Sequence, residues 1–328
     1  MYSVALLAVQ NCMFSSLLGP FDIFSVASTQ ARSLPGFGKD PLFAPLIVGS
    51  SGAPLQAFNG MIIPLEATLA EGKIYDIVLV PVIFGDLEPV LADREIIQWL
   101  ANQGRNGACL ASSCAGSFLL AEAGILNGRT ATTHWNLADN FAKRYPEVKL
   151  KREKMLVDEG ECITAGGVSA YLDLALYLTA RFGSPELAAL LSKILLIDPG
   201  RRTQAPYQAA FFHKNHADAA ILNLQEWLEG QSDKSLCIAE LASRVGLGER
   251  TLLRRFRKAT GDSPLEYLQR LRIEKARKLL ETTAESVEEI TQKTGYSDTS
   301  SFRGLFKRYT GLSPSAYRKR FAYRLPMF

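Results

Sequence analysis

The first group able to do chemistry in this 328-residue chain is a cysteine on a turn of small residues. Ser112-Ser113-Cys114-Ala115-Gly116 joins a strand-like run, Gly107 to Ser112, to a helix-like run, Ser117 to Ala123. Such a turn can hold a thiol at a tight elbow above a sheet. A helix N-terminus favours the thiolate, so the turn leaves room for an acidic, reactive Cys114, and the residues alone leave its reactivity open. His134 and Trp135 follow in a loop twenty residues on. A thiol with a distant imidazole can act as nucleophile and base, and an indole face attracts cations. The other cysteines are Cys12, Cys109, Cys162 and Cys237. An odd count without a CxxC pair predicts neither a disulfide framework nor a zinc site, so no metal and no cofactor is expected. Five reduced thiols suit a reducing cytoplasm.

A second group is the basic run Arg250, Arg254, Arg255, Arg257 and Lys258. Residues 1–217 carry 17 Lys/Arg against 19 Asp/Glu, whereas residues 218–328 carry 20 against 14. The positive charge belongs to the C-terminal third and predicts a polyanionic partner for that end alone.

The elements that must position the cysteine alternate in type. Ser3 to Val9, Phe43 to Val48, Tyr75 to Val82, Gly107 to Ser112 and Glu161 to Ala165 read as strands. Pro20 to Gln30, Asp93 to Asn102, Ser117 to Ala123 and Ala170 to Phe182 read as helices. Alternation of this kind predicts a mostly parallel sheet with helices on both faces. Met1 to Val9 lacks a basic flank and reads as a buried strand, not a signal peptide. No apolar run approaches the ~20 residues that span a bilayer, so no membrane role is expected.

From Asp198 the pattern breaks, and residues 198–216 read as a linker or extended arm between domains at 1–197 and 217–328. After it everything reads as helix, beginning with Ala217 to Leu228. Two copies of one pattern stand 50 residues apart, FRKATGDSPLEY from Phe256 and FKRYTGLSPSAY from Phe306. Gly261 and Gly311 can close a helix in the left-handed conformation. Ser263 and Ser313 can cap the next helix, with Pro264 and Pro314 in its first turn. Upstream of each copy lies a helix, a glycine turn and a second helix: Ile238 to Val245, Gly246, Glu249 to Lys258; then Val287 to Thr294, Gly295, Thr299 to Tyr309 behind Asp298. This is the helix-turn-helix plan, whose second helix enters a DNA major groove. The helix between the copies, Leu265 to Glu281, spans about 25 Å at 1.5 Å per residue. That length suits two readers on successive groove faces about 34 Å apart. Leu252, Phe256, Phe302 and Phe306 are assigned to the core.

Residues 218–322 resemble the AraC/XylS family, through IAELASRVG, RTLLRRF, SPLEYLQRLRIEKARKLL and ITQKTGYSDTSSFRGLFKRYTGLSPSAYRKR. The resemblance implies that Arg250, Leu253 and Arg254 face bases from the first recognition helix. It puts Thr299, Ser300 and Arg303 in the corresponding places on the second. Arginine can pair with both acceptors of a guanine edge. Arg255, Arg257, Lys258, Lys307 and Arg308 are assigned to phosphates. Gly304 stands where the family often has a basic residue, so the second unit is expected to read sequence more weakly.

Residues 1–197 resemble the ThiJ/PfpI branch of the class I amidotransferase-like superfamily, through LGPFDIFSVAS, YDIVLVP, SSCAGSFLLAEAG, the TTHW loop and ITAGGVSAYLDLALYLTARFG. That implies a flavodoxin-like, amidotransferase-like α/β domain with Cys114 at the elbow. Ser16 stands where active members carry a carboxylate, and Ala115 where the peptidases carry histidine. Pro81-Val82-Ile83-Phe84-Gly85 replaces a Pro-Gly-Gly turn that helps form an oxyanion hole. Three readings follow: a ligand pocket around Ser16, Phe84, Cys114, His134 and Trp135; a hydrolase- or amidase-like enzyme using Cys114 with His134; or a thiol redox sensor. Together the two resemblances describe the GlxA-like regulators, non-enzymatic and cytoplasmic. These imply double-stranded DNA with tandem half-sites and a small nitrogenous effector as partners, a homodimer through the N-terminal domain, and RNA polymerase as a further partner.

Overall fold

Apolar runs bounded by turn residues become the strands of one sheet. In chain order the computed structural model has β1 (Tyr2–Leu7), α1 (Ser15–Ala31), β2 (Phe43–Gly49), β3 (Ala67–Thr68), β4 (Ile77–Val80), α2 (Glu88–Leu91), α3 (Arg94–Arg105), β5 (Cys109–Ser113) and α4 (Gly116–Glu122). Then come β6 (Thr130–Ala131), α5 (Ala138–Arg144), β7 (Lys149–Leu150), β8 (Leu156–Asp158), β9 (Cys162–Ala165), α6 (Ala170–Phe182) and α7 (Pro185–Ile194). The structure describes residues 1–50, 54–209, 212, 214–234 and 236–322. The parts of the expected spans that fall on 210, 211, 213, 235 and 323–328 lie outside these.

The sheet runs β3-β2-β1-β4-β5-β9-β8. Every pairing is parallel except that of β8 with β9. All residues of β4, β5 and β9 are buried, as expected of parallel strands covered on both faces. Helices α1, α6 and α7 pack together on one side, and α2, α3 and α4 on the other, with β5 touching both groups.

Helix α1 begins at Ser15, earlier than the expected start at Pro20, and holds the proline inside. Proline there forfeits the bond to the Ser16 carbonyl and crowds that carbonyl with its ring, and the burial of Leu17, Ile23, Phe24 and Ala27 offsets this.

The chain divides into two units, Met1–Gln204 and Ala205–Phe328. Several described residues of the expected linker are bonded within their own unit. Arg201 forms an ion pair with Asp173, and the Gln204 N–H donates to the Glu153 carbonyl at 2.8 Å. Beyond the division, Tyr207 Oη accepts from Arg320 at 2.7 Å and the Gln208 carbonyl accepts from Arg277.

The second unit is helical: α8 (Ala219–Gly230), α9 (Ile238–Arg244), α10 (Glu249–Thr260), α11 (Pro264–Thr282), α12 (Val287–Lys293), α13 (Thr299–Thr310) and α14 (Pro314–Phe321). It has two cores. Ile221, Leu224, Leu241, Leu252 and Phe256 gather around Tyr267 and Leu268. Ile290, Phe302, Phe306 and Tyr317 gather around Ile273, Ala276 and Leu280. Helix α11 supplies Tyr267 and Leu268 to one core and Ile273 to Leu280 to the other, so the spacer is a shared wall.

The internal repeat is a structural repeat. Gly261 and Gly311 cap their helices at φ +83° and +73°. Ser263 and Ser313 each accept an N–H of the following helix at 3.3 Å. The Thr260 and Thr310 hydroxyls each donate to the phenylalanine carbonyl four residues back at 2.8 Å. Phe256 meets Tyr267 edge-on at 5.4 Å, and Phe306 meets Tyr317 at 5.3 Å. The repeated Phe, Thr, Gly, Ser, Pro and Tyr together make one helix corner.

Candidate functional site

Strand β5 ends at Ser113 and α4 starts at Gly116, which leaves Cys114 on the elbow with a left-handed φ of +55°. A non-glycine residue there is strained and must be held in place. The Cys114 N–H donates to the Ala165 carbonyl at 2.8 Å, at the end of β9. The Cys114 carbonyl accepts from Thr133 Oγ1 at 3.0 Å and from Ser117 Oγ at 2.9 Å. Gly116 lets the elbow close against β4, since a Cβ there would stand 2.5 Å from the Pro81 carbonyl oxygen.

One of these contacts sets the 132–135 loop against the elbow. Thr133 ties the 132–135 loop to Cys114, and His134 and Trp135 follow it. The His134 and Trp135 rings lie 5.2 Å apart. On the other flank Ser16 Oγ donates to the Met13 carbonyl at 2.6 Å and accepts the Val82 N–H at 3.1 Å. Two residues on, Phe84 stacks on the exposed Phe58 at 4.7 Å.

Burial opposes the acidity that the elbow leaves open for Cys114. The thiol is 4% exposed, and burial pushes its pKa up to about 12, outweighing the opposing Ala115 N–H. The desolvation penalty on a buried thiolate exceeds what the short helix α4 returns. Burial also lowers the His134 pKa, and its Nδ1 accepts the Asn136 N–H at 3.2 Å. Near neutral pH burial therefore favours the protonated Cys114 thiol and the neutral His134 imidazole. Among the described residues no group of three or more His, Cys, Asp or Glu could hold a metal ion.

The second unit presents the basic residues. Leu252 and Phe256 turn inward on α10, so the opposite face carries Arg250, Leu253, Arg254 and Arg257, all exposed. Leu253 is 40% exposed, an apolar side chain left outside the core. On α13 the Asp298 carboxylate caps the helix, accepting from Ser300 N at 3.2 Å and Ser301 N at 2.7 Å. Ser300, Arg303, Gly304, Lys307 and Arg308 are exposed, and Thr299 is half-buried. Arg303 pairs with Glu288 at 2.8 Å, both more than half exposed, and such a surface pair is readily exchanged. Arg255 departs from the expected set. Its guanidinium grips Asp218 with two bonds of 2.9 and 2.6 Å, which fastens α10 to the start of α8.

Sequence reasoning missed Thr133, Ser117, Phe58 and Gln204. Thr133 lay within the quoted TTHW loop. Gln204 lay in the stretch assigned to a linker, with no signal to mark it.

The helix-turn-helix domain family matches residues 241–320, and the DJ-1/PfpI family matches residues 42–181. The chain is 32% identical over 275 residues to the HTH-type transcriptional regulator CdhR of Pseudomonas aeruginosa, covering 83% of this chain and 80% of that protein. It is 30% identical over 224 residues to the HTH-type transcriptional regulator GlxA of Rhizobium meliloti, covering 67% and 68%. Among solved structures, a ThiJ/PfpI family protein from Pseudomonas syringae shares the fold at a TM-score of 0.51 and 23% identity, over 75% of this chain and 91% of that one. Both the architecture and these relatives agree, and the chain belongs to the HTH-type transcriptional regulators that join a DJ-1/PfpI domain to an AraC-type helix-turn-helix domain.

Proposed function

We propose that this regulator is cytoplasmic and that its first unit binds a small nitrogenous metabolite, of the amino-acid or amine and betaine class, without turning it over. The ligand contacts are Ser16, Phe84, Cys114, His134 and Trp135, with the indole as the platform for a cationic group. One observation carries the non-enzymatic reading: Cys114 is 4% exposed, and burial raises its pKa while lowering that of His134. The Val82 N–H, near the missing glycine turn, is also occupied by Ser16. The nucleophile is held protonated, His134 Nδ1 already accepts the Asn136 N–H, and the Val82 donor is taken.

In the second unit α10 and α13 are the recognition helices. Arg250, Leu253, Arg254, Thr299, Ser300 and Arg303 read bases, and Arg257, Lys258, Lys307 and Arg308 hold phosphates. Arg255 is assigned to holding α8. The active species is a homodimer through the first unit on tandem half-sites, with RNA polymerase as a further contact.

The test is a thermal-shift screen of the L-amino acids, choline and glycine betaine, repeated on Trp135→Ala, with footprinting for any compound that binds. Binding by wild type that is lost in Trp135→Ala, with no product formed, is the expected result. Turnover of a compound that disappears in Cys114→Ala overturns it in favour of an enzyme.

A further inference from the structure

Gln204 is the last residue of the first unit, and it is 1% exposed. A glutamine at the end of a domain has no evident reason to be so deeply held. Its Nε2 lies 2.9 Å from both the Thr133 and Lys154 carbonyl oxygens, and 3.3 Å from both Thr132 Oγ1 and the Arg152 carbonyl oxygen. Its Oε1 accepts the Trp135 N–H at 3.1 Å. Space is made for it by Gly166, where a Cβ would stand 1.9 Å from Nε2.

The carboxamide therefore brackets His134. One end binds the carbonyl of the residue before it, and the other binds the N–H of the residue after it. A carboxamide, with a donor and an acceptor at the two ends of one planar group, can do both. Thr133 in turn binds the Cys114 carbonyl through its hydroxyl. A continuous run of hydrogen bonds thus leads from the elbow through the candidate ligand loop to the residue that precedes the DNA-binding unit.

The backbone around Gln204 is stitched down by the same neighbourhood. The Met155 N–H donates to the Arg202 carbonyl at 3.2 Å, Thr203 bridges Lys154 as an antiparallel pair, and Thr203 Oγ1 donates to the Glu153 carbonyl at 2.7 Å. Arg201 is held separately, by Asp173 and Ser169. Loss of the Gln204 side-chain bonds leaves residues 202–204 held by these backbone and Thr203 bonds alone, and their release frees roughly 10 Å of chain at 3.3–3.6 Å per residue.

We propose that Gln204 is a latch that couples occupancy of the His134–Trp135 loop to the tether of the DNA-binding unit. A ligand that prefers one position of this loop strengthens or breaks the bracket. It thereby sets how much chain lies free ahead of Ala205. The ligand's preference between latched and unlatched states is the whole source of the signal. The proposal rests on the effector reading given above.

The test uses the full chain as wild type, Gln204→Ala, Gly166→Ala and the double variant. The methyl of Gly166→Ala displaces the amide, whereas in the double variant it fills the space that the amide leaves. Hydrogen exchange is followed without any compound. The Trp135 amide and residues 202–204 should lose protection together, at least tenfold, in all three variants. The double variant should melt closer to wild type than Gly166→Ala does. A Trp135 amide that keeps its protection in Gln204→Ala overturns the latch.

A second measurement takes a compound from the screen that both raises the melting temperature of wild type and changes its affinity for an operator selected from random DNA. In Gln204→Ala the compound should still raise the melting temperature, while its effect on operator affinity falls at least fivefold. An undiminished effect overturns the latch. If no compound acts on wild type, the effector reading fails, and the exchange data alone decide whether the latch exists.

Discussion

Ser16 Oγ stands between two backbone groups, donating to the Met13 carbonyl and accepting the Val82 N–H. It thus sews the start of α1 to the loop after β4. Where the resemblance leads one to expect a carboxylate beside the cysteine, this chain has a buried staple. Ser16→Ala should leave the Val82 N–H without that partner and cost about 1–3 kcal/mol of stability in the first unit. Urea unfolding in a Trp227→Phe background, where Trp99 and Trp135 report the first unit, checks this. An unchanged midpoint would show that water takes over both bonds.

The buried thiols make a pH prediction. Burial raises Cys12 and Cys109 to about 11 and Cys114 and Cys162 to about 12. Unfolding returns them to the ordinary thiol range near 9. Above that value the unfolded chain releases protons that the folded chain keeps, so it binds fewer and the native state loses stability as pH rises. The first unit should weaken progressively from about pH 9 upward, measured as its melting temperature between pH 7 and 10.5. At pH 8 the buried Cys114 stays a protonated thiol. Iodoacetamide should therefore label the exposed Cys237 first and reach Cys114 only on unfolding. Rapid native labelling of Cys114 would restore the reactive-thiol reading.

Legibility differed between the two units for a physical reason. In the second unit, local chemistry sets the structure. Ser-Pro starts, glycine ends and Asp298 could be read directly, because each acts on backbone groups within four residues. In the first unit the strands were legible as apolar runs, but α7 was not assigned despite a Ser184 cap that accepts the Leu187 N–H at 3.1 Å. The elbow geometry was legible and its electrostatics were not. Cys114 acidity depends on how β4, β9 and the 132–135 loop close over it, and those segments come from distant sequence. Gln204 was hidden for the same reason, since its partners lie 50–72 residues away.

One residue on α10 and one on α13 separate specificity from affinity. Arg254→Ala should cost about 1–3 kcal/mol on the selected operator and relax base choice in one half of it. Lys307→Ala should weaken binding to all sequences alike and reduce the slope of log affinity against log salt by about 1. Titration of specific and random duplexes at several salt concentrations distinguishes the two. Equal loss on both duplexes for Arg254→Ala would move that residue to the phosphate set.

Gly304 lies on the exposed face of α13, one turn after Ser300 and three residues before Lys307. A Cβ built there meets nothing within 4 Å, and the residue is not among those with positive φ. Neither packing nor backbone geometry asks for glycine. Gly304→Ala should therefore stabilise the second unit by about 0.5–1 kcal/mol, through a less flexible unfolded chain and a better helix former. Gly304→Arg adds a guanidinium to the face that carries Arg303 and Lys307. If that face meets DNA, the variant should bind random duplex more tightly and with a steeper salt slope. Unfolding of the second unit, followed by Trp227 fluorescence, checks the first effect, and duplex titration the second. A gain in stability without a gain in affinity would place this turn of α13 away from the DNA and leave the first recognition helix as the principal reader.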